Sequence, residues 1–312
     1  MTKTEIALRL LRIFAAYRLK KEIVSPLPIR LWIETSLCCN LKCPMCPNKD
    51  LPPSEKNVMK MEIFRKIIGE AKEFANDVYL HHRGEPLINP SFMEMLAYAN
   101  NAGLKTRFHT NGTLLDQKKA DELLNLRPHL VSFSVDGFDK ETYEKIRVGA
   151  SFEKTIENIK CFAEMKKKRK LSLPYIVIER IRFKTLPITN NSTQSDQLRK
   201  ELLQSGVDEI IEKDEYIWAG DKKDIPLPPR TCSSCTFPWY AMVICADGTV
   251  TPCPQDFYAK MVMGNVAQQT LKEIWNGPAY RELRRKFKTD IESLELCKDC
   301  DRLRRKTVGG VP

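Results

Sequence analysis

Between about residue 30 and residue 212, short apolar runs alternate with longer segments of helical periodicity, and this alternation restricts the fold more than any other feature. Six runs read as strands: Arg30 to Thr35, Asp77 to His82, Lys105 to His109, Leu130 to Val135, Tyr175 to Phe183 and Val207 to Ile211. Most are separated by amphipathic stretches such as Met61 to Phe74 and Phe152 to Met165. Repeated strand–helix units point to a parallel sheet, because parallel neighbours need a long crossover between them. Six units are expected to form an α/β fold, an open, partial (β/α)6 TIM-like barrel whose working residues lie at the C-terminal ends of its strands.

The pattern breaks after residue 212. Residues 213–230 form a charged stretch closed by Pro226, Pro228 and Pro229, which reads as a linker. Residues 231–312 read as a second, small domain with a hairpin, Tyr240 to Cys245 and Thr249 to Thr251, turning at Ala246-Asp247-Gly248. Helical segments follow at Leu271 to Trp275 and Ala279 to Phe287. Ahead of the barrel core (30–212), residues 1–29 carry a basic amphipathic helix with Ile6, Leu10, Ile13 and Tyr17 on one face and Arg9, Arg12, Lys20 and Lys21 elsewhere. Packing over the bottom of the barrel is the preferred reading of this helix, and docking on a membrane surface is the alternative. No run approaches the roughly 18 apolar residues of a membrane span, and Glu5, Arg9 and Arg12 stand where a signal peptide needs an apolar core, so a cytoplasmic location is expected.

Eleven cysteines in a chain without an export signal point to metal or redox chemistry rather than a disulfide framework. The formal charge of +11 is spread over short runs such as 166–170 and 281–288, which read as solvated helix faces. An anionic substrate is therefore a better match than nucleic acid, which is not an expected partner. Cys39, Cys43 and Cys46 stand in the string CNLKCPMC just after the first strand. Their C-x-x-x-C-x-x-C spacing lets one loop hold three irons of a 4Fe-4S cube and leaves the fourth iron open to an exchangeable ligand. A zinc site is the competing reading, but zinc normally takes four protein ligands and favours C-x-x-C pairs. The adjacent Cys38 is read as a packing residue.

With the motifs that follow it, this loop resembles the radical S-adenosylmethionine superfamily over most of the chain. HHRGEPLINP follows the second strand, HTNGTLL the third, and SVDGFDKETYEKIR with GASFEKTIENI the fourth. The resemblance implies that the cofactor lies against Met45, Gly84, Glu85, Thr110, Asn111, Ser134, Asp136 and Arg147. Glu85 would hold the methionine amino group and Arg147 would face the carboxylate, which is the acid and guanidinium pair a zwitterion requires. Arg83 stands where the family has a glycine, and Met45 where it commonly has an aromatic residue.

The C-terminal cysteines, with Gly248 before TVTPC and the terminal CKDC, resemble the auxiliary-cluster extensions called SPASM and its shorter form, twitch. That resemblance implies one auxiliary 4Fe-4S cluster on Cys235, Cys253, Cys297 and Cys300. Cys245 reads as core, Cys232 as an alternative ligand, and a zinc ribbon as the competing use of CSSC and CKDC. The implied activity is reductive cleavage of S-adenosylmethionine to a 5'-deoxyadenosyl radical that takes a hydrogen atom from the substrate. The leading expectation is oxidation or epimerisation of a sugar-like or aminocyclitol-like small molecule, with a flavodoxin or ferredoxin as electron donor. Modification of a ribosomal peptide is the second expectation, and a zinc or iron-sulfur protein that binds nucleic acid the third. Polar residues near the ends of strands five and six, Arg182, Glu215, Tyr216 and Trp218, are the candidate substrate contacts.

Overall fold

The computed structural model describes residues 3–183, 192–215, 218, 229–231 and 234–304. In chain order the elements are α1 (Lys3–Arg18), β1 (Arg30–Ile33), α2 (Met61–Ala71), β2 (Asp77–Tyr79), α3 (Phe92–Asn101), β3 (Lys105–Thr110), α4 (Gln117–Leu126) and β4 (Leu130–Ser134). Then come α5 (Lys140–Ile146), α6 (Phe152–Lys168), β5 (Tyr175–Arg182), α7 (Ser192–Ser205) and β6 (Glu209–Asp214). The last part holds α8 (Phe237–Tyr240), β7 (Ala241–Ile244), β8 (Thr249–Thr251), β9 (Gly264–Asn265), α9 (Leu271–Trp275) and α10 (Pro278–Thr289).

Packing divides the chain into two compact units that interleave in sequence. The first comprises Glu34–Met61 and Tyr79–Glu215. Its strands β3, β4, β5 and β6 lie side by side in that order and are all parallel, with Arg107 opposite Leu130, Leu130 opposite Tyr175 and Val177 opposite Glu209. Side chains alternate between the faces of each strand. Phe108 packs edge-on to Phe92 of α3 at 5.0 Å, and Phe133 packs on Phe162 of α6 at 5.9 Å, so one face is covered by helices. The other face carries Arg107, His109, Ser132, Ser134, Glu179 and Lys213 together with Leu130, Val177, Ile181 and Ile211, so it is more polar than the helix-covered side of a parallel sheet. Helix starts are set locally: Asp116, Asp139 and Ser151 each accept a hydrogen bond from the backbone of the first turn they cap.

The second unit comprises Met1–Ile33, Glu62–Val78 and Tyr216–Pro312. Here β1 pairs in parallel with β7, and β7, β8 and β9 form an antiparallel extension. All four residues of β7 are buried, as a strand covered on both faces requires. Arg30 holds Asp77 through two bonds of 2.6 and 2.8 Å, which ties β1 to β2. A Thr270–Glu273 capping box starts α9. The strand order does not close on itself, so the architecture is the expected α/β partial barrel.

Three sequence expectations need correction. The second strand stops at Tyr79, which leaves His81 and His82 in the loop beyond it. The sixth begins at Glu209 rather than Val207 and runs to Asp214, because Val207 still bonds back to Leu202 at the end of α7 while the ladder with β5 continues through Lys213 and Asp214. In α1, Ile13, Ala16 and Tyr17 are buried, but Leu10 is exposed together with Leu8, Leu11 and Phe14. Among the described residues no helix is long and apolar enough to cross a membrane.

Candidate cofactor site

The loop after β1 folds on backbone bonds of its own unit. Leu37 N–H donates to Asn57 O, Met59 N–H to Thr35 O, and Lys42 N–H to Val148 O. Asn48, just beyond the third cysteine, donates through Nδ2 to Leu37 O at 2.7 Å and to Arg83 O at 3.0 Å, tying the end of the loop to its beginning. The three thiols are close enough to feel one another. Burial, then Glu85 and the other two cysteines, pushes Cys39 up to about 11. Burial also raises Cys43, against the pull of the neighbouring Arg147, and raises Cys46. Three free, mutually repelling thiols beside one acid and one guanidinium suit an iron-sulfur cluster with an open corner, since metal binding lets all three ionise. Met45 is half-buried next to them, and Cys38 is half-exposed with its thiol directed at Asn57 O.

Gly84 and Glu85 fit against the segment leading into this loop. A Cβ on Gly84 would stand 2.4 Å from Ser36 O and 2.5 Å from Cys38 O, so only glycine permits the approach that lets Glu85 N–H reach Cys38 O at 2.8 Å. Arg83 is accommodated where the family has glycine because its guanidinium pairs with buried Glu34 at 2.6 and 2.8 Å. The Glu85 carboxylate is buried and accepts from Thr110 Oγ1 at 2.7 Å, Asn111 N at 2.7 Å and Leu87 N at 3.1 Å. Burial still raises its pKa despite those donors and nearby Arg147, so the pocket favours a further cation. Asn111 Nδ2 donates to Asn40 Oδ1 at 2.9 Å, and Asn40 Nδ2 to Thr113 Oγ1 at 2.8 Å, which clamps the TNGT turn onto the cysteine loop.

Asp136 and Arg147 form a buried ion pair at 2.5 Å, and Asp136 Oδ1 also accepts from Ile181 N at 2.8 Å. Burial opposes the charge on Arg147, but Asp136 and then Cys43 outweigh it and raise its pKa. Ser134 lies half-buried at the end of β4 opposite Glu179. Within this unit the structure therefore brings Cys39, Cys43, Cys46, Glu85, Thr110, Asn111, Asp136 and Arg147 into one connected region.

In the other unit, Cys235, Cys253, Cys297 and Cys300 line one cavity, among Phe237, Leu283 and other apolar side chains. Burial raises all four thiols, and Cys253 is raised further by Cys235, Cys300 and Cys297. Cys300 is pushed up to about 11. Arg302, stacked 4.4 Å from the centre of the Phe237 ring, moderates the rise at Cys235. Four thiols around one apolar cavity match the donor set of a fully ligated cluster. Cys245 is buried in the core as expected, and Cys232 lies outside the described residues.

Three of the four suggested substrate contacts lie among the described residues, and each has its own partners. Arg182 is exposed and pairs with Asp214 at 2.8 Å. By strand alternation it shares a face with Arg180, which lies over Phe138. Glu215 donates its backbone N–H to Arg182 O, Trp218 packs edge-on to Phe257 at 5.1 Å, and Tyr216 lies outside the described residues.

Sequence reasoning passed over the histidines inside its own motifs. The rings of His81 and His109 stack at 4.2 Å with an 18° tilt, and His81 Nδ1 accepts from His109 N at 3.2 Å. Glu179 stands 4.0 Å from His109 Nδ1 and 2.7 Å from Lys213 Nζ. Surrounding protein lowers His81 well below its ordinary range, and takes His109 down to about 4 and His82 to about 3. The period-2 alternation of β3 and β5 was the available signal, since it places His109 and Glu179 on the face away from the helices.

Two family models match the chain: the radical SAM superfamily over residues 33–181 and the SPASM iron-sulfur cluster-binding domain over residues 232–301. The chain is 26% identical over 319 residues to the tungsten-containing aldehyde ferredoxin oxidoreductase cofactor-modifying protein of Pyrococcus furiosus, with 86% of each covered. It is 22% identical over 284 residues to the S-adenosyl-L-methionine-dependent 2-deoxy-scyllo-inosamine dehydrogenase of Niallia circulans, covering 88% of this chain and 93% of that one. Among solved structures, Streptococcus suis SuiB bound to precursor peptide SuiA superposes with a TM-score of 0.68 at 17% identity, covering 96% of this chain and 76% of that one. That last likeness is one of fold.

Proposed function

The chain belongs to the radical S-adenosylmethionine superfamily and carries a SPASM iron-sulfur domain, and on that premise we propose that it oxidises or epimerises a hydroxyl-bearing, aminocyclitol-like small molecule. Enzymes of this superfamily bind S-adenosylmethionine and a 4Fe-4S cluster and act on small molecules or peptides. When bound, the clusters and the nucleotide supply a primary carbon radical that removes a substrate hydrogen atom, and an acceptor for the electron left behind.

The protein's own residues have separable tasks in this reading. Cys39, Cys43 and Cys46 would hold the first cluster, whose chemistry needs an exchangeable position for the nucleotide. Glu85, fixed by three donors, receives the methionine ammonium, while Arg147 meets the carboxylate with Asp136 holding its guanidinium in place. Met45, Gly84, Thr110, Asn111 and Ser134 form the rest of the cradle. Cys235, Cys253, Cys297 and Cys300 hold one auxiliary cluster. The working division is then a lead-in helix at 1–29, a core at 30–212, a linker at 213–230 and an auxiliary-cluster domain at 231–312. A cytoplasmic flavodoxin or ferredoxin is the proposed electron source. Arg182, Glu215, Tyr216 and Trp218 remain secondary candidates for substrate contact.

The observation that carries the reading is the presence of an acid and a guanidinium at a three-thiol loop, each acting electrostatically on its sulfurs. The dehydrogenase relative, aligned over nearly its whole length, favours the small-molecule class. The test is anaerobic reconstitution with iron, sulfide, dithionite and S-adenosylmethionine, followed by chromatography. Release of 5'-deoxyadenosine is expected, and its absence from a protein that has taken up iron would refute the proposal.

A further inference from the structure

The helix-free face of β3 to β6 mixes apolar residues (Leu130, Val177, Ile181 and Ile211) with polar ones, and the polar groups form a connected set. His81 and His109 stack, Ser132 stands opposite His109 in the β3–β4 register, and Glu179 bridges from His109 to Lys213 on β6. Tyr79 meets His81 edge-on at 5.7 Å. Arg107 lies over the Tyr79 ring at 5.8 Å. The set is reachable, since the side chains of His109 and Lys213 keep 27% and 49% of their exposure.

A hydrogen bond to one ring and a nearby carboxylate at the other give the two rings opposite roles. His81 Nδ1 accepts a backbone N–H, so its proton is on Nε2, which makes Nε2 a donor. His109 Nδ1 lies 4.0 Å from the Glu179 carboxylate, beyond hydrogen-bond distance, and that negative charge favours the tautomer with its proton on Nδ1, which leaves Nε2 as an acceptor. Neither Nε2 has a partner among the described residues. The hydroxyl of Ser132 is also buried without one, and an unpaired buried hydroxyl is destabilising unless something hydrogen-bonds to it. Burial outweighs the opposing pull of Glu179 at His109 and, with the neighbouring rings and Lys213, lowers His81 well below its ordinary range, so both imidazoles are neutral at pH 7, as this donor and acceptor assignment requires.

We infer that His81, His109, Ser132, Glu179 and Lys213 form the substrate subsite, and that it takes a polyhydroxylated ring compound through paired hydroxyl contacts. This inference rests on the proposed function and specifies the ligand class and the residues that read it. A hydroxyl is at once donor and acceptor, so a neutral donor–acceptor pair of imidazoles suits neighbouring ring hydroxyls. The Glu179–Lys213 pair allows an amine or an acidic substituent to be met at the edge. A site for an apolar peptide side chain would not spend five polar groups on one face.

The test uses the reconstituted holoenzyme with S-adenosylmethionine, titrated anaerobically by calorimetry with two probes, 2-deoxy-scyllo-inosamine and myo-inositol. Saturable binding of at least one probe by the wild type is expected. His109→Ala and Glu179→Ala should weaken it about tenfold or more, equivalent to ~1.4 kcal/mol per decade. Lys213→Ala, on an exposed side chain with little bearing on folding, should weaken binding by a smaller factor. Lys160→Ala, on the helix-covered side, should leave it unchanged. Unaltered affinity in the His109, Glu179 and Lys213 variants would overturn the site, and a wild type that binds neither probe would overturn the ligand class. Failure of the underlying radical reading would show separately, as a wild type that produces no 5'-deoxyadenosine.

Discussion

The two cysteine regions differ in what surrounds the sulfur. At the loop of Cys39, Cys43 and Cys46, charged groups crowd in: Glu85 presses on Cys39, and Arg147, itself held by Asp136, draws Cys43 toward the thiolate. At Cys235, Cys253, Cys297 and Cys300 the surroundings are mostly apolar: burial raises the thiols first and, at Cys253, Cys297 and Cys300, neighbouring sulfurs raise them next, with Arg302 beside Cys235 as the nearby cation. On the proposed function, the first region offers a zwitterion a carboxylate for its ammonium and a guanidinium for its carboxylate, whereas a region that only held a cluster would complete the thiolate set and exclude water.

The strongest way to break this contrast is to remove one sulfur from each region. Cys43→Ala should abolish 5'-deoxyadenosine formation and remove about four irons per chain. Cys253→Ala should lose a similar amount of iron while keeping the electron paramagnetic resonance signal that shifts on adding S-adenosylmethionine. If that signal vanishes with Cys253 and survives without Cys43, the two roles are reversed. Next in size is Asp136→Ala, which leaves Arg147 charged and buried without its partner and should destabilise the protein by ~3–5 kcal/mol. Thermal or urea unfolding reads this directly, and a change below 1 kcal/mol would mean that the guanidinium is held by other groups.

The smallest effect is a pH dependence. Unfolded thiols release their protons near 9, whereas Cys39 and Cys300 hold theirs to about 11. Between those values the folded metal-free protein binds more protons than the unfolded chain, so its stability should fall as pH rises. Melting curves of apoprotein from pH 8 to 10.5 should show the fall, and Cys39→Ser should make it shallower. A profile that Cys39→Ser leaves unaltered would mean that the loop thiols are not buried together.

Residues close together in sequence were the easiest to read. The cysteine loop, the Gly84-Glu85 turn and the TNGT turn are short strings whose chemistry depends on local order. Arg83 was not legible as a safe replacement for glycine, because its partner Glu34 lies 49 residues earlier. The His81–His109 stack joins two strings that were each noticed for other residues, and only strand pairing brings the rings together. The sixth strand was placed two residues early, because the apolar Val207 serves the end of a helix before the ladder begins.

By itself, the sequence determined the α/β alternation and the family, and it marked the thiols, acid and guanidinium proposed to hold the cofactor, because period and short motifs act over a few residues. Tertiary structure alone decided that Asp136 restrains Arg147 and that two stacked imidazoles join a set of polar groups on one face of the sheet. Each of those depends on strand register and long-range packing, where a shift of one residue would turn every side chain to the opposite face.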